Sequence, residues 1–586
     1  MFSVWAPECG RVDLVVGDRR LPMMRMERGW WEVSSEAART GARYGFSLDG
    51  GPPRPDPRSL SQPDGVLGLS ELIDHSSYAW TDAGWAGMPL AGSVLYELHV
   101  GTFTAKGTFE DVIQRLPYLV ELGVDAIELM PVAEFSGDRG WGYDGVDLFA
   151  VHHAYGGPEG LKRLVEACHA RGLGVLLDVV YNHLGPVGNF LSEFGPYFSH
   201  RYTTGWGPAF NFDGPGSDEV RRLVVDNALM WIRDYHIDGL RLDAVHTIVD
   251  QSPLNVLEQL AREVEELSAQ LNRRVFLVAE SDANDPRLVR SRDSGGYGLD
   301  AVWSDDWHHA LHALLTGERT GYYQDFGSLE ILGKALRQAW VYDGVWSAHR
   351  RRTRGRKATG VPNQSFVVAT QNHDQVGNRA MGDRLAALLD EGSLKVAAAL
   401  LLTAPFTPIL FQGEEWASSS PFLYFSDHAD PELGNAVREG RRREFAAFGW
   451  DPVTIPDPQD PRTFERSKLN WSELDVPFHR SMLDWYRALI ALRKRLPAPQ
   501  EIHVEVVRDP GRITYERDGV SVRVNLGEVD WQFVLPEGAE LFIASDPDIK
   551  SEGRMLCLPP TSVAVLEFST GVLRKTPRSG DLTGAL

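Results

Sequence analysis

Between about residue 93 and residue 411 the chain carries eight apolar runs of strand length: Val94–Val100, Ala126–Pro131, Gly174–Val180, Gly239–Val245, Val275–Ala279, Ala301–Ser304, Ser365–Thr370 and Pro408–Phe411. Amphipathic helical patterns lie between most of them, at Thr108–Leu122, Pro158–Arg171, Asp218–Tyr235, Pro253–Gln270 and Ser393–Thr403. Eight buried strands alternating with helices predict an α/β chain folded as a (β/α)8 TIM barrel. In such a barrel the active site is built at the C-terminal ends of the strands. The polar residues obey that rule. Asn182 and His183 follow the third run, Arg241 and Asp243 lie on the fourth, Glu280 follows the fifth, and Asp305 and Asp306 follow the sixth. Asn372-His-Asp374 ends the seventh and Gln412-Gly-Glu-Glu415 the eighth.

The flanks follow a different rhythm. Residues 1–90 alternate short β-like runs (Phe2–Trp5, Val12–Val16, Trp30–Val33, Tyr44–Leu48) with turn signals, which predicts an N-terminal β-sandwich domain. The barrel is expected over 91–498, closed by a helix at Pro477–Leu496 and carrying a Gly-, Pro- and aromatic-rich loop excursion at 184–217. Alternation returns in Ile513–Tyr515, Val520–Val524, Trp531–Leu535 and Ser562–Phe568, so 499–586 reads as a C-terminal β domain, with Ser569–Leu586 disordered. At roughly 100–200 residues per domain, 586 residues suggest three to five units or a barrel with additions.

Charge excludes some partners. The 59 Lys and Arg stand against 81 Asp and Glu, a net of −22, and the acidic excess is scattered. Nucleic acid and anionic membranes both attract clustered cations, so neither is expected as a partner. The basic run His349–Lys357 reads as an exposed loop. Cys9, Cys168 and Cys557 lie far apart without His at metal spacing, which fits a reducing compartment and predicts neither disulfide nor zinc site. With no apolar window of about 18 residues and no leader-like N-terminus, the expectation is a soluble cytoplasmic protein.

The chemistry follows from the strand ends. Residues two apart on a strand share a face, so Arg241 and Asp243 point together, and a cation beside a carboxylate favours its charged form. Taken alone, that pair reads as readily as a buried structural ion pair. Glu280 ends the apolar run Val275–Ala279, where desolvation should raise a carboxyl pKa as a general acid requires. Asp374 is a third carboxylate, and His183 and His373 add hydrogen-bond donors. Cleavage of a glycosidic bond needs one ionised and one protonated carboxyl flanking an oxocarbenium-like transition state.

Four stretches, Asp178–His183, Gly239–His246, Ala279-Glu280 and Asn372-His-Asp374, resemble in order the motifs of the α-amylase family of glycoside hydrolases, family thirteen. The resemblance implies Asp243 as nucleophile, Glu280 as acid/base and Asp374 as transition-state stabiliser, with retention of the α configuration. It also implies Tyr143 stacked on the sugar in the cleaving subsite, with Asp178, His183, Arg241 and His373 contacting that sugar or the nucleophile. Asn182–Asn189, Trp303–His309, Gln371–Arg379, Phe425–His428, Ala436–Phe445 and Ser467–Trp471 are similar to the family's trehalohydrolase subgroup, as is the N-terminal Val4-Trp-Ala-Pro7. That similarity implies hydrolysis of the α-1,4 bond beside the terminal trehalose of a maltooligosyltrehalose, with no cofactor and with a synthase of that substrate as pathway neighbour. Trp206, Asp306 and Gln375 are candidates for trehalose recognition. Two departures stand out: His152-His153 occupy a stretch where the family pattern expects a proline, and Asn182 matches an amylase calcium ligand without the clustered carboxylates a hard cation needs. No metal is expected. A general α-1,4-glucan hydrolase, a branching or debranching enzyme and a non-catalytic glucan-binding protein remain as alternatives.

Overall fold

The computed structural model describes residues 1–568, apart from 36–38, 447–454, 497–501, 518 and 550. The expected disorder of Ser569–Leu586 and the boundary expected at 498–499 lie outside the described residues. Eight strands close a parallel barrel: β1 (Leu95–Leu98), β2 (Ala126–Leu129), β3 (Gly174–Val179), β4 (Gly239–Leu242), β5 (Phe276–Ala279), β6 (Ala301–Trp303), β7 (Phe366–Val368) and β8 (Thr407–Phe411). Each matches one of the eight apolar runs. The five predicted inter-strand helices also form, at Phe109–Leu122, Gly157–His169, Ser217–Asp234, Val256–Leu271 and Glu391–Thr403.

Parallel strands covered by helices are apolar on both faces, and β3 is buried at every position. Register then decides which polar side chains meet. Asp178 on β3 is the Cα partner of Arg241 on β4, and Glu128 on β2 is the partner of Glu97 on β1. Paired residues project to the same face, so four charged side chains are gathered inside the barrel.

Two connections are enlarged. After β2 the strand Ala133–Glu134 pairs with Asp147–Val151, and residues 135–146 between them form a loop over the barrel mouth. After β3 the excursion holds a short helix at Leu191–Phe194 and a hairpin of Phe198–Thr204 with Gly207–Phe210. The N-terminal strands form two antiparallel sheets and brace this excursion: Arg54 Nε donates to Glu193 at 2.8 Å, and Trp5 meets Tyr197 edge-on at 5.0 Å.

The C-terminal strands make a five-stranded and a two-stranded sheet. Arg493, on the predicted closing helix (Pro477–Arg493), donates to the carbonyls of Leu402, Ala404 and Phe406. Arg517 of the C-terminal sheet donates to those of Thr403 and Ala404. Both guanidiniums thus satisfy the C-terminal end of the helix before β8, where carbonyls lack helical partners.

Some elements differ from expectation. The basic run does not form a plain loop: Arg352–Gly355 is a strand paired with Asp343–Ser347, because alternate side chains can remain in solvent while the backbone pairs. Helices at Asp305–Thr316, Leu329–Gln338 and Pro431–Ala446 were not predicted. Among the described residues no helix is long and apolar enough to cross a membrane.

Candidate active site

Arg241 is fully buried, and its guanidinium is the hub of the barrel mouth. Nη1 donates to Asp178 Oδ2 at 2.6 Å and to Asp243 Oδ1 at 2.8 Å, while Nη2 lies 3.8 Å from Glu280 Oε2. Its flat face packs 4.4 Å from the Trp303 ring centroid, a contact suited to a desolvated guanidinium. Asp243, just past β4, accepts at its other oxygen from Asn182 Nδ2 at 2.8 Å. Both carboxylate oxygens of Asp243 are therefore fixed. Asn182 spends its amide on the Asp243 side chain and backbone, and its oxygen meets His183 Nδ1.

The next residue, Ala244, adopts a left-handed conformation with φ 38° and directs its N–H to Glu280 Oε2 at 2.5 Å. That sparsely populated geometry sets the acid candidate's carboxyl against the nucleophile candidate's backbone. Burial pushes the Glu280 carboxyl well above the usual range; Arg241 opposes the shift, and Asp243, Asp305 and Asp374 reinforce it. A protonated carboxyl beside Asp243 suits general acid chemistry.

Asp374 sits in the short helix His373–Gly377, capped by Asn372. His373 donates from Nδ1 to Glu97, and its Nε2 lies 2.7 Å from the Tyr143 hydroxyl. Burial alone would lower its pKa, but Glu97 and Asp374 outweigh that and raise it to about 9, so the imidazole is a cation at neutral pH. Tyr143 stacks on His373 at 5.1 Å and donates to Asp178 at 2.5 Å. Burial, partly offset by Arg241, raises Asp178 to about 7. His183 lies flat against Trp206 at 4.6 Å, and burial lowers its pKa.

A cavity of about 350 Å³ is lined by Tyr143, His183, Trp206, Asp243, Glu280, His373 and Asp374. Arg241 and Asp178 support it from beneath. A second cavity of about 410 Å³ adjoins it at Asp374 and is lined by Asp282, Asp305, Glu318, Arg350 and Gln375. Gln375 spends its oxygen on the Asn372 N–H and its amide on Asp305, so its side chain is largely committed to the helix cap. Asp306 lines neither cavity. It accepts at 2.7 Å from the Val341 and Tyr342 N–H groups and from Asn284. Its neighbour on the helix, Asp305, lines the second cavity instead. Burial and the nearby Asp374 push the Asp305 carboxyl up to about 7.

Besides Asp282, Glu318 and Arg350 in the second cavity, three groups around the hub escaped the sequence reading. Glu97 and Glu128 each stand alone in an apolar strand, at positions that a register argument could have turned inward. Glu128 is 1% exposed and neither carboxylate oxygen has a hydrogen-bond partner. Burial, then Glu97 and Asp178, raise its pKa far above the usual range, which favours the neutral acid. The third is Trp141, whose ring is edge-on to His373 at 5.7 Å and which lines the first cavity.

The alpha amylase catalytic-domain family matches residues 69–203. A malto-oligosyltrehalose trehalohydrolase of Arthrobacter ramosus is 53% identical over 90% of this chain and 92% of its own. One from Saccharolobus solfataricus is 48% identical over 84% and 85%. A crystal structure described as a putative alpha amylase from Salmonella typhimurium covers 97% of both chains with a TM-score of 0.88 at 38% identity. A pullulanase from Paenibacillus barengoltzii, 19% identical with a TM-score of 0.72, shares the fold. By this identity along nearly its whole length, the chain belongs to the malto-oligosyltrehalose trehalohydrolases of the α-amylase family.

Proposed function

We propose that this chain hydrolyses the α-1,4 bond joining a malto-oligosaccharide to its terminal trehalose, releasing trehalose by a retaining double displacement. One observation carries the chemistry: Asp243 and Glu280 share the Arg241 guanidinium, yet Asp243 is hydrogen-bonded through both oxygens while burial pushes the Glu280 carboxyl well above the usual range. In this reading the glucose donor occupies the first cavity on the Tyr143 face. Asp243 attacks its anomeric carbon as Glu280 protonates the departing glycosidic oxygen, which becomes the 4-hydroxyl of trehalose. Glu280, now ionised, takes a proton from the water that attacks the glucosyl-enzyme, and Asp243 leaves as a carboxylate. Asp374 holds hydroxyls of the distorted sugar ring.

The leaving trehalose takes the adjoining cavity, where Asp305, Asp282, Glu318 and Arg350 offer partners for hydroxyls. A synthase that isomerises the reducing-end linkage of a malto-oligosaccharide is the pathway neighbour that supplies the substrate.

The test is to incubate the protein separately with a malto-oligosyltrehalose and with the malto-oligosaccharide of equal length and to identify the products by chromatography. Free trehalose from the first, with little cleavage of the second, supports the reading. Equal cleavage of both, or a branched product, reassigns the chain to a general glucan-active enzyme.

A further inference from the structure

Away from the catalytic carboxylates, one cluster among the described residues presents metal-type donors: Glu134, His152 and His153. Glu134 ends the short strand Ala133–Glu134, and the two histidines directly follow its partner strand Asp147–Val151. The three donors therefore close the base of the 135–146 loop that carries Trp141 and Tyr143 to the active site.

The donor geometry is compact. Glu134 Oε1 lies 3.2 Å from His152 Nδ1 and 2.6 Å from His153 Nδ1, and the three donor atoms lie within 4.8 Å of one another. A tetrahedral zinc ion with ligands at about 2.0–2.1 Å spaces its donors about 3.3 Å apart, so small side-chain rotations would admit one. Outer hydrogen bonds of the kind a metal site uses are present at Glu134 and His153, whereas His152 Nε2 is buried without a partner and His152 is held by packing. Glu134 Oε2 accepts the His153 N–H at 2.9 Å, which orients the carboxylate, and Asp138 Oδ1 lies 3.2 Å from His153 Nε2. His152 is stacked on Phe135 at 3.8 Å. Glu134 and His152 are buried, whereas the His153 side chain is 31% exposed, leaving an entry from solvent.

His153 turns Nδ1 to Glu134 and Nε2 to Asp138, so a cation at Nδ1 would leave Nε2–H paired with the Asp138 carboxylate, the usual arrangement around a ligating imidazole. We propose that Glu134 Oε1, His152 Nδ1 and His153 Nδ1 form a three-ligand site for a zinc-type divalent cation, completed by water, that staples the base of the Trp141–Tyr143 loop. Two imidazoles and one carboxylate favour a borderline cation over calcium or magnesium, which demand six or more oxygens or near-octahedral oxygen shells. The site is structural and takes no part in bond cleavage.

The probe is Co2+ alone, titrated into chelator-treated full-length protein and followed by visible d–d absorption, with Zn2+ competition. The expected result is one equivalent bound with tetrahedral-type bands, displaced by Zn2+, and at least tenfold weaker binding in His153→Gln. Asp138→Asn alters an exposed residue whose carboxylate meets only the far nitrogen of His153, its backbone N–H to Asp427 being kept, so it tests the site without disturbing the core, and about tenfold weaker binding is expected. Absence of the bands in the parent protein, or unchanged titrations in both variants, would overturn the proposal.

Discussion

At the scale of single residues, the site works by giving neighbouring carboxyl groups opposite protonation states. Asp243→Asn should lower kcat by about 10⁴-fold or more, because the covalent step disappears. Glu280→Gln should cost about 10²–10⁴-fold. Because the folded pKa of Glu280 is raised, its acid form persists above the usual carboxylate range, and kcat/KM should fall as pH rises through that shifted value. The glutamine variant should lack this alkaline limb in its pH–rate profile. Glu128 gives a sharper case. A neutral acid is mimicked by an amide, so Glu128→Gln should keep kcat within about threefold, whereas Glu128→Lys would add a buried cation beside Arg241 and should destabilise the protein by several kcal/mol. Loss of activity in Glu128→Gln, with its fold intact by circular dichroism, would mean that the ionised form matters. Asp243, Glu280, Asp374, Arg241 and His373, chosen for type and strand-end position, do meet at one barrel mouth, because parallel register brings strand ends together. Asp306 instead holds the Val341 and Tyr342 N–H groups, a backbone contact no sequence pattern signals, and Glu97 and Glu128 were passed over because one charge in a four-residue strand does not disturb its apolar pattern.

At the scale of elements, the eight strands were legible because fully buried parallel strands are uninterrupted apolar runs, and their helices because the apolar period is 3.6. The helix Asp305–Thr316 was not, since its opening Asp-Asp-Trp-His-His looks like a site motif rather than an amphipathic repeat. Close approach between elements also left no sequence signal. Gly377, in the Asn372-capped helix, lies beneath Trp141, and an added Cβ would come within 2.1 Å of that ring. The ring is wedged between neighbours, stacked on Phe422 at 5.3 Å, and cannot yield freely. Gly377→Ala should therefore cost about 1–3 kcal/mol of stability. It should also displace Trp141 and lower kcat at least tenfold in steady-state assays; an alanine variant with unchanged kcat would contradict this packing.

At the scale of the whole molecule, buried titratable groups link stability to pH. Burial raises Asp178, Asp305, Glu414 and Glu415 to about 7, so between their unfolded values near 4 and that pH the folded chain binds more protons, and stability falls as pH rises. His373, raised to about 9, contributes stability that is full below its unfolded value of 6.5 and is lost as pH rises through 9. Both effects have the same sign, so the melting temperature should decline from pH 6.5 to pH 9 in thermal scans, and a rise would refute the assignment. Flanking domains contribute to integrity through contacts such as Arg517. Arg517→Ala should remove about 1.5–3 kcal/mol while leaving KM unchanged. The most direct test of the whole account is proton NMR of the first turnovers on a malto-oligosyltrehalose, which reads linkage and stereochemistry together. Trehalose appearing with the α-anomer of the shortened malto-oligosaccharide, before mutarotation, is the predicted result. The β-anomer appearing first, or glucose and maltose in place of trehalose, would contradict it.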